Sequence, residues 1–163
     1  MANRTSWIAG NGVGLSWTTA INSADLASMP TGDTVLSSVA DIANGTNLDQ
    51  FMDVSVRCAI ASSTIVAGAN LALWLYALLD DGSTYGDGQL TAGTQAAKTP
   101  VFSPCGVIPL LAAASQTTLV GIVSGILLPP GSFRLALQNN SGFTLTAGTQ
   151  TVKYRTYNQN LNA

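Results

Sequence analysis

Apolar and polar residues alternate with a period of two along much of the chain. The clearest run covers residues 53–60, in which Val, Val, Cys and Ile at the even positions alternate with polar or small residues. Segments 133–138 and 152–157 repeat the alternation. This spacing is typical of a strand with one buried face. We therefore predict half-buried β-strands in all three segments.

Other segments carry weaker or two-sided patterns. Residues 70–79 are apolar on both faces, which predicts a fully buried strand, with a helix as the alternative because Leu and Ala are good helix formers. Further strands are predicted at 34–39, 117–128 and 143–146. Residues 22–29, which precede a proline, predict a short helix.

Turn residues separate these predicted strands. Gly, Pro and Asn cluster between them, as in an antiparallel sheet whose strands are joined by short connections. We therefore predict an all-β fold, an antiparallel β-sandwich of jelly-roll-like form with an irregular N-terminal arm. The predicted boundaries are 1–30 for the arm, 31–157 for the sandwich and 158–163 for a C-terminal tail.

The predicted arm contains the candidate partner-binding residues. Three glycines lie between Trp7 and Trp17, and such a density of glycine is typical of an irregular segment. The two indole rings are large apolar groups that are costly to leave in water. They either pack back on their own domain or dock on a neighbouring subunit. For the second case we predict Trp7, Ile8 and Trp17 as the contact residues.

Composition narrows the range of functions. The chain has eight acidic and six basic residues, a net charge of −2, no His and no Glu. Without His there is no imidazole base, no His-containing catalytic triad and no His-ligated metal site. Six basic residues provide no basic footprint for nucleic acid. Because only 9% of residues are charged, we expect other subunits to cover much of the surface, and we predict a homo-oligomer without a cofactor.

Aspartates are the remaining candidates for chemistry. Asp80, Asp81 and Asp87 form an acidic loop with oxygen ligands suited to Ca²⁺, but their spacing fits no EF-hand, so solvated turn residues are the favoured interpretation. Asp49 and Asp53 are spaced so that they can share a strand face, as a hydrolase needs, but nothing in the sequence marks either as buried beside an aromatic platform. We predict no catalytic residue and a non-enzymatic protein.

Two further pairs leave alternatives open. Trp74 and Tyr76 share one strand face, which suits either a sugar-stacking platform or the sandwich core. For a sugar site, at least one of Trp74, Tyr76 and Tyr85 has to be exposed. Cys58 reads as a small buried hydrophobic residue, and a disulfide with Cys105 is the alternative.

Targeting and membrane signals are weak. The N-terminal residues include no apolar core of a secretory signal, so we expect synthesis in the cytoplasm. Stretches 59–79 and 99–133 carry no charged residue and are long enough to span a bilayer. Polar residues and prolines interrupt both, and strands buried on two sides explain them better. We predict no membrane partner.

The order of motifs resembles a known group of proteins. DIANGTNLDQFMDVSVRCAI leads into NLALWLYALLDDGSTYGDG, followed by ILLPPGSFRLALQNNSGF and TVKYRTYNQNL. Over residues 38–160 this series resembles small virion proteins of tailed bacteriophages, of the jelly-roll capsid decoration or cement type. The resemblance implies a β-sandwich on the outer capsid surface of the virion that bridges major capsid protein subunits and stabilises the head.

Other functions share the same sandwich. A carbohydrate-binding β-sandwich module, or a tail or fibre component for host attachment, is the alternative expectation. The motifs behind the resemblance are turns and strands, so they transfer no binding residue from the family to this chain.

Overall fold

The computed structural model describes residues 4–9, 15–88 and 90–162 of the chain. The described residues form eleven strands and no helix, which confirms the predicted all-β class. The strands are β1 (Arg4–Ala9), β2 (Thr18–Ile21), β3 (Thr34–Leu36), β4 (Ile42–Ala43), β5 (Phe51–Ser63), β6 (Asn70–Ala77), β7 (Gln95–Ala96), β8 (Gly106–Pro109), β9 (Gln116–Leu127), β10 (Ser132–Asn140) and β11 (Thr151–Asn162).

Two antiparallel sheets pack face to face. Sheet 1 has the order β1-β11-β5-β9, and β2 pairs with β11 beside β1. Sheet 2 has the order β7-β3-β10-β6-β8, and β4 pairs with β10 beside β3. This arrangement confirms the predicted antiparallel β-sandwich.

The order in which the strands pair shows how the chain runs through the two sheets. Strand β2 pairs with β11, β3 with β10, β5 with β9, and β6 with β8. Early strands thus pair with late strands, as in one long hairpin that has been wrapped around the core. That is the jelly-roll arrangement, in which every strand has an antiparallel neighbour distant in sequence.

The core lies between the sheets and follows from the period-two patterns. Alternate residues of β5 point inward, and they meet the inward residues of β10 and β11. The largest fully buried members are Ile21, Leu26, Met29, Met52, Leu71, Leu73, Phe133, Leu135, Leu137 and Leu145. Burial of this continuous apolar surface is the main favourable contribution to folding.

Glycine permits a close approach of the sheets along one side. Edge strands β8 and β9 belong to different sheets but lie against each other there. A Cβ at Gly121 would lie 2.2 Å from Cγ2 of Ile108, and one at Gly106 would lie 2.5 Å from Cγ1 of Val123. The two backbones approach this closely because neither glycine has a side chain.

The structure tests several predictions about single segments. Residues 70–79 form a strand rather than a helix. The predicted short helix at 22–29 is wrong, because this segment makes only i→i+3 backbone hydrogen bonds and reaches a positive φ at Ser28. The predicted strand at 143–146 is reduced to one bridge, between Leu145 and Ile60.

The described parts of the predicted arm and tail lie together in sheet 1. Strand β1 pairs with the end of β11, from Arg4 opposite Asn162 to Ala9 opposite Tyr157. Strand β2 pairs with the beginning of β11. The three glycines of the predicted arm lie outside the described residues.

Residues 4–9, 15–88 and 90–162 contain no candidate for a membrane-spanning helix. Nowhere in these ranges is there a helix with the length and apolar character that crossing a bilayer requires.

Candidate functional site

The outer face of sheet 1 is the candidate site. We use this name for the side chains of sheet 1 that point away from the sandwich core. Residues directly opposite each other on neighbouring strands share a face. The register therefore places three rows here, each crossing β9, β5 and β11: Leu127–Phe51–Tyr157, Ile122–Ser55–Lys153 and Val120–Arg57–Thr151.

Three aromatic rings form one end of this face. Phe51 and Tyr157 are stacked with centroids 5.8 Å apart, and Trp7 from β1 meets Tyr157 edge-on at 5.1 Å. Trp7 also lies edge-on to Phe51 at 6.5 Å. Edge-to-face and offset contacts are favourable arrangements for aromatic rings, so the indole is held in place although much of it remains exposed.

A buried carboxylate lies beside the aromatic rings. Asp53 accepts hydrogen bonds from Nε and Nη2 of Arg155 at 3.0 and 2.8 Å, and from the Tyr157 hydroxyl at 2.9 Å. A fourth hydrogen bond, 3.1 Å long, comes from the backbone N–H of Gly125. Four donors occupy the full acceptor capacity of a carboxylate, so Asp53 is satisfied within the chain.

A β-bulge supplies the fourth donor. Met52 pairs with Ile126 and Val54 with Val123, so two residues of β9 stand opposite Asp53. One of them, Gly125, has φ of +73°, which favours glycine. The bulge breaks the regular ladder and allows the Gly125 N–H to reach the carboxylate.

The charge state of Asp53 follows from these contacts. Burial by itself raises the pKa of its carboxyl group. The hydrogen bonds from Arg155, Tyr157 and Gly125, together with the charge of Arg155, outweigh burial and lower that pKa below its ordinary value. A general acid needs a raised pKa, so Asp53 is poorly suited to that role.

A shallow cleft opens between the aromatic rings and the ion pair. Its volume is about 230 Å³, and it is lined by Trp7, Leu15, Asp53, Ser124, Arg155 and Tyr157. The guanidinium of Arg155 also stacks on Trp17, with Cζ 4.8 Å from the ring centroid. Both predicted tryptophans are thus brought to one face.

Ile8 is placed differently from the two tryptophans. It is exposed, but it follows Trp7 directly on β1, and successive side chains of a strand point to opposite sides. Of the three predicted contact residues, the structure therefore brings together Trp7 and Trp17 and directs Ile8 elsewhere.

Apolar side chains extend this face along edge strand β9. The exposed fractions are 57% for Trp7, 62% for Val120, 57% for Ile122 and 71% for Leu127. Strand β9 pairs only with β5 among the described residues, and its twelve residues include no charge and no proline. Charges and prolines are two of the features that normally protect exposed edges, so their absence from this edge favours contact with another chain.

The outer face of sheet 2 is closed instead by its own chain. Trp74 and Tyr76 are 3% and 1% exposed, and they pack with Leu36, Ala72 and Ala136 beneath the segment 79–105. The Trp74 Nε1 donates to the Phe102 carbonyl at 3.0 Å. These two rings form a second apolar cluster, separate from the main core, and neither is available to stack on a sugar.

An ion pair fastens this cover to sheet 2. Arg134 on β10 donates from Nε to Asp41 at 2.6 Å and lies over the ring of Tyr85, 4.8 Å from its centroid. The Tyr85 hydroxyl donates to the same carboxylate. Tyr85 is half-buried by these contacts, which leaves no freely exposed ring in the sugar platform considered from the sequence.

The acidic loop does not converge on one point. Asp81 accepts hydrogen bonds from the backbone N–H groups of Ser83 and Thr84, while Asp87 accepts one from the Tyr76 hydroxyl at 3.2 Å. Within the ranges that the structure describes, no group of three or more metal-ligating side chains comes together. Asp81 acts here as a turn-stabilising residue.

Both cysteines are free thiols. Cys58 is buried in the core, as predicted, and Cys105 is partly buried at the start of β8. Burial raises the pKa of each thiol to about 12. Neither is therefore a reactive thiolate near neutral pH.

The Asp53 cluster was missed by reasoning from the sequence. Arg155 and Tyr157 lie more than 100 positions away and reach Asp53 only through the register of β5 and β11. A local signal existed on β9, where a Gly inside an apolar strand indicates a bulge. Trp7 was predicted as a contact residue, but its contacts with Phe51 and Tyr157 beside Asp53 are a feature of the tertiary structure.

Comparison with known proteins identifies no relative. No protein-family model matches the chain, and searches of curated proteins and of solved structures find no significant match.

Proposed function

We propose that this chain is a non-enzymatic virion structural protein. In this role it decorates the outer surface of a capsid, bridges major capsid protein subunits and stabilises the head. The proposal comes from the motif order of the sequence, which resembles jelly-roll decoration proteins of tailed bacteriophages. The outer face of sheet 1 is the surface that we assign to the contact.

The observation that carries the proposal is the exposed apolar character of that face. Trp7, Val120, Ile122 and Leu127 lie on one side of a chain with only 9% charged residues. Exposed apolar patches of this kind are typical of interaction surfaces. On sheet 2, by comparison, segment 79–105 of the same chain covers the outward-facing aromatic residues.

Stabilisation would follow from mass action. A protein that binds only the assembled shell favours that shell over its dissociated subunits. Individual contacts can be modest, because many copies act on one particle. The unpaired edge of β9 offers backbone hydrogen bonds that an extended segment of a neighbouring subunit can use.

Density-gradient fractionation of the source lysate tests the proposal. Each fraction is analysed by mass spectrometry for this chain and for the major shell protein. We expect the chain to migrate with full capsids in amounts close to those of the shell protein. A few copies per particle would instead indicate a tail or fibre component. Recovery only in fractions without particles would contradict the virion role.

A further inference from the structure

Charge is divided unequally between the strands of sheet 1 and the loops of the chain. Four of the six basic residues but only one of the eight aspartates lie in the strands of sheet 1, which leaves those strands with a net charge of +3, while the other seven aspartates lie outside the strands of both sheets. The one aspartate, Asp53, is already paired with Arg155. The overall charge of −2 therefore does not apply to sheet 1, whose strands are net basic.

Exposed cations alternate with apolar residues on the outer face of sheet 1. Arg57 stands directly opposite the exposed Val120, and Lys153 is separated from the exposed Ile122 only by Ser55. Both cationic side chains are exposed to solvent. A partner that covers the apolar residues must therefore also meet two positive charges.

The opposite side has the reverse charge. Segment 79–105, which covers the outer face of sheet 2, contains three aspartates, of which Asp80 and Asp81 are exposed, and one cation, Lys98. Charge on a surface that stays in water keeps particles apart and in solution. This acidic side therefore suits the surface that a bound protein turns toward solvent.

We infer that the outer face of sheet 1 docks on an acidic protein surface, with carboxylates placed to meet Arg57 and Lys153 around an apolar contact with Trp7 and β9. The inference rests on the proposed function and names the chemistry of the shell surface that the chain recognises. The acidic side of the sandwich then faces outward. Charge complementarity of this kind fixes orientation and accelerates association, and salt weakens it.

Two other occupants fit less well. Pairing the same face with that of a second copy brings Arg57 and Lys153 toward cations of like sign. Nucleic acid favours a dense row of cations, whereas here apolar Val120 and Ile122 alternate with only two exposed ones. An acidic protein surface satisfies both the charge and the apolar requirement.

Binding to particles tests the inference with charge variants. The full-length labelled chain is added at several salt concentrations to particles produced without it, and the bound fraction is measured after sedimentation. The test variant is Arg57→Gln with Lys153→Gln. The matched control is Thr91→Asp with Thr94→Asp, which changes net charge by the same amount at exposed positions near β7 in sheet 2.

The expected result separates the two variants. We expect the sheet 1 variant to bind about tenfold more weakly at low salt, with a smaller dependence on salt, and the control to bind like the unaltered chain. Equal binding by all three chains, or a loss confined to the control, would overturn the inference while leaving the virion role intact. Failure of the unaltered chain to bind any particle would contradict the proposed function itself.

Footprinting with hydroxyl radicals gives a second readout that requires no substitution. On particle-bound chain we expect protection of Trp7, Ile122 and Leu127, while Val101 and Phe102 on the covered side react as in the free protein. Protection of Val101 and Phe102 alone would reverse the orientation and refute the inference. Protection of the sheet 1 residues in the free chain at high concentration would point to a second copy as the occupant.

Discussion

The two outer faces of this sandwich deal with aromatic side chains in opposite ways. On sheet 2, Trp74 and Tyr76 are buried beneath the chain's own segment 79–105, and their polar atoms donate to Phe102 and Asp87. On sheet 1, the indole of Trp7 is supported by Tyr157 but remains more than half exposed. Aromatic side chains are thus buried by the chain itself on one face and left partly exposed to solvent on the other.

Under the proposed function, the difference indicates the face on which a partner would bind. Burying large aromatic rings is favourable, and sheet 2 obtains this benefit by folding alone. Sheet 1 obtains it only if another molecule covers the face. Substitutions on the covered face should therefore reduce the stability of the free protein, whereas substitutions on the open face should reduce binding.

The largest effect is expected on the covered face. Trp74→Ala removes a buried ring and leaves the Phe102 carbonyl without its donor. We expect the free energy of unfolding to fall by about 3–5 kcal/mol, as for other buried aromatic residues. Urea denaturation followed by circular dichroism measures this loss. A change below about 1 kcal/mol would mean that segment 79–105 does not cover the ring in solution.

An intermediate effect is expected at the ion pair beneath the cleft. Asp53→Asn keeps the shape of the side chain but removes the charge that Arg155 meets. Because Arg155 is partly exposed, we expect a loss of about 2 kcal/mol rather than the larger cost of breaking a fully buried pair. The same denaturation experiment tests it. An unchanged midpoint would show that solvent already satisfies the guanidinium.

The same variant should change how stability responds to acid. The folded-state pKa of Asp53 lies below the unfolded value, so its stabilisation is complete above the unfolded pKa and is lost as pH falls through the folded one. Between about pH 5 and pH 2, the unaltered chain should therefore lose more stability than Asp53→Asn does. Asp41, whose pKa is also lowered against the opposing effect of burial, is present in both proteins and cancels in the difference. Parallel curves would contradict the assignment.

A smaller effect on stability is expected at Trp7. Trp7→Ala removes the edge-on contacts with Tyr157 and Phe51, but more than half of the Trp7 side chain is already exposed in the free protein. We expect a loss of about 1 kcal/mol in the free protein, together with a clear loss of particle binding. Comparing denaturation and sedimentation on the same sample separates the two effects. Normal particle binding would remove Trp7 from the docking face.

The smallest effect on stability is expected at the tip of β9. Leu127→Thr changes a side chain that is largely exposed and retains a residue suited to a strand. The midpoint of urea denaturation should stay within about 0.5 kcal/mol of the unaltered chain, while particle binding weakens. A marked loss of stability would show that Leu127 already has an intramolecular partner, and the contrast between the two faces would then fail.

Much of the fold was predictable because it depends on local spacing. The alternation at 53–60 places Val54, Val56 and Cys58 in the core, and the structure confirms it. Helix and strand remained alternatives at 70–79, because an apolar run carries no period of its own. The strand order resolved that choice, since this segment lies between β10 and β8 in sheet 2.

The candidate site was predictable only in part. Trp7 and Trp17 are conspicuous in the sequence because they are rare, large and flank glycines, and both lie on the outer face of sheet 1. The sequence presents Asp53 only as one of two carboxylates, with Asp49, that can share a strand face, without a sign of its partners. A carboxylate at an outward strand position reveals nothing about the residue on the neighbouring strand until the register is known.

The sequence by itself determined the class of the fold, the inward residues of its strands and the absence of imidazole chemistry. Each of these depends on residue type and on spacing within one segment, which the chain carries without folding. Only the tertiary structure decided that Asp53 meets Arg155, that Trp74 is covered and Trp7 is not, and that exposed cations alternate with apolar residues on the outer face of sheet 1. Those features depend on contacts between distant segments, and such contacts exist only once strand register and loop packing are set.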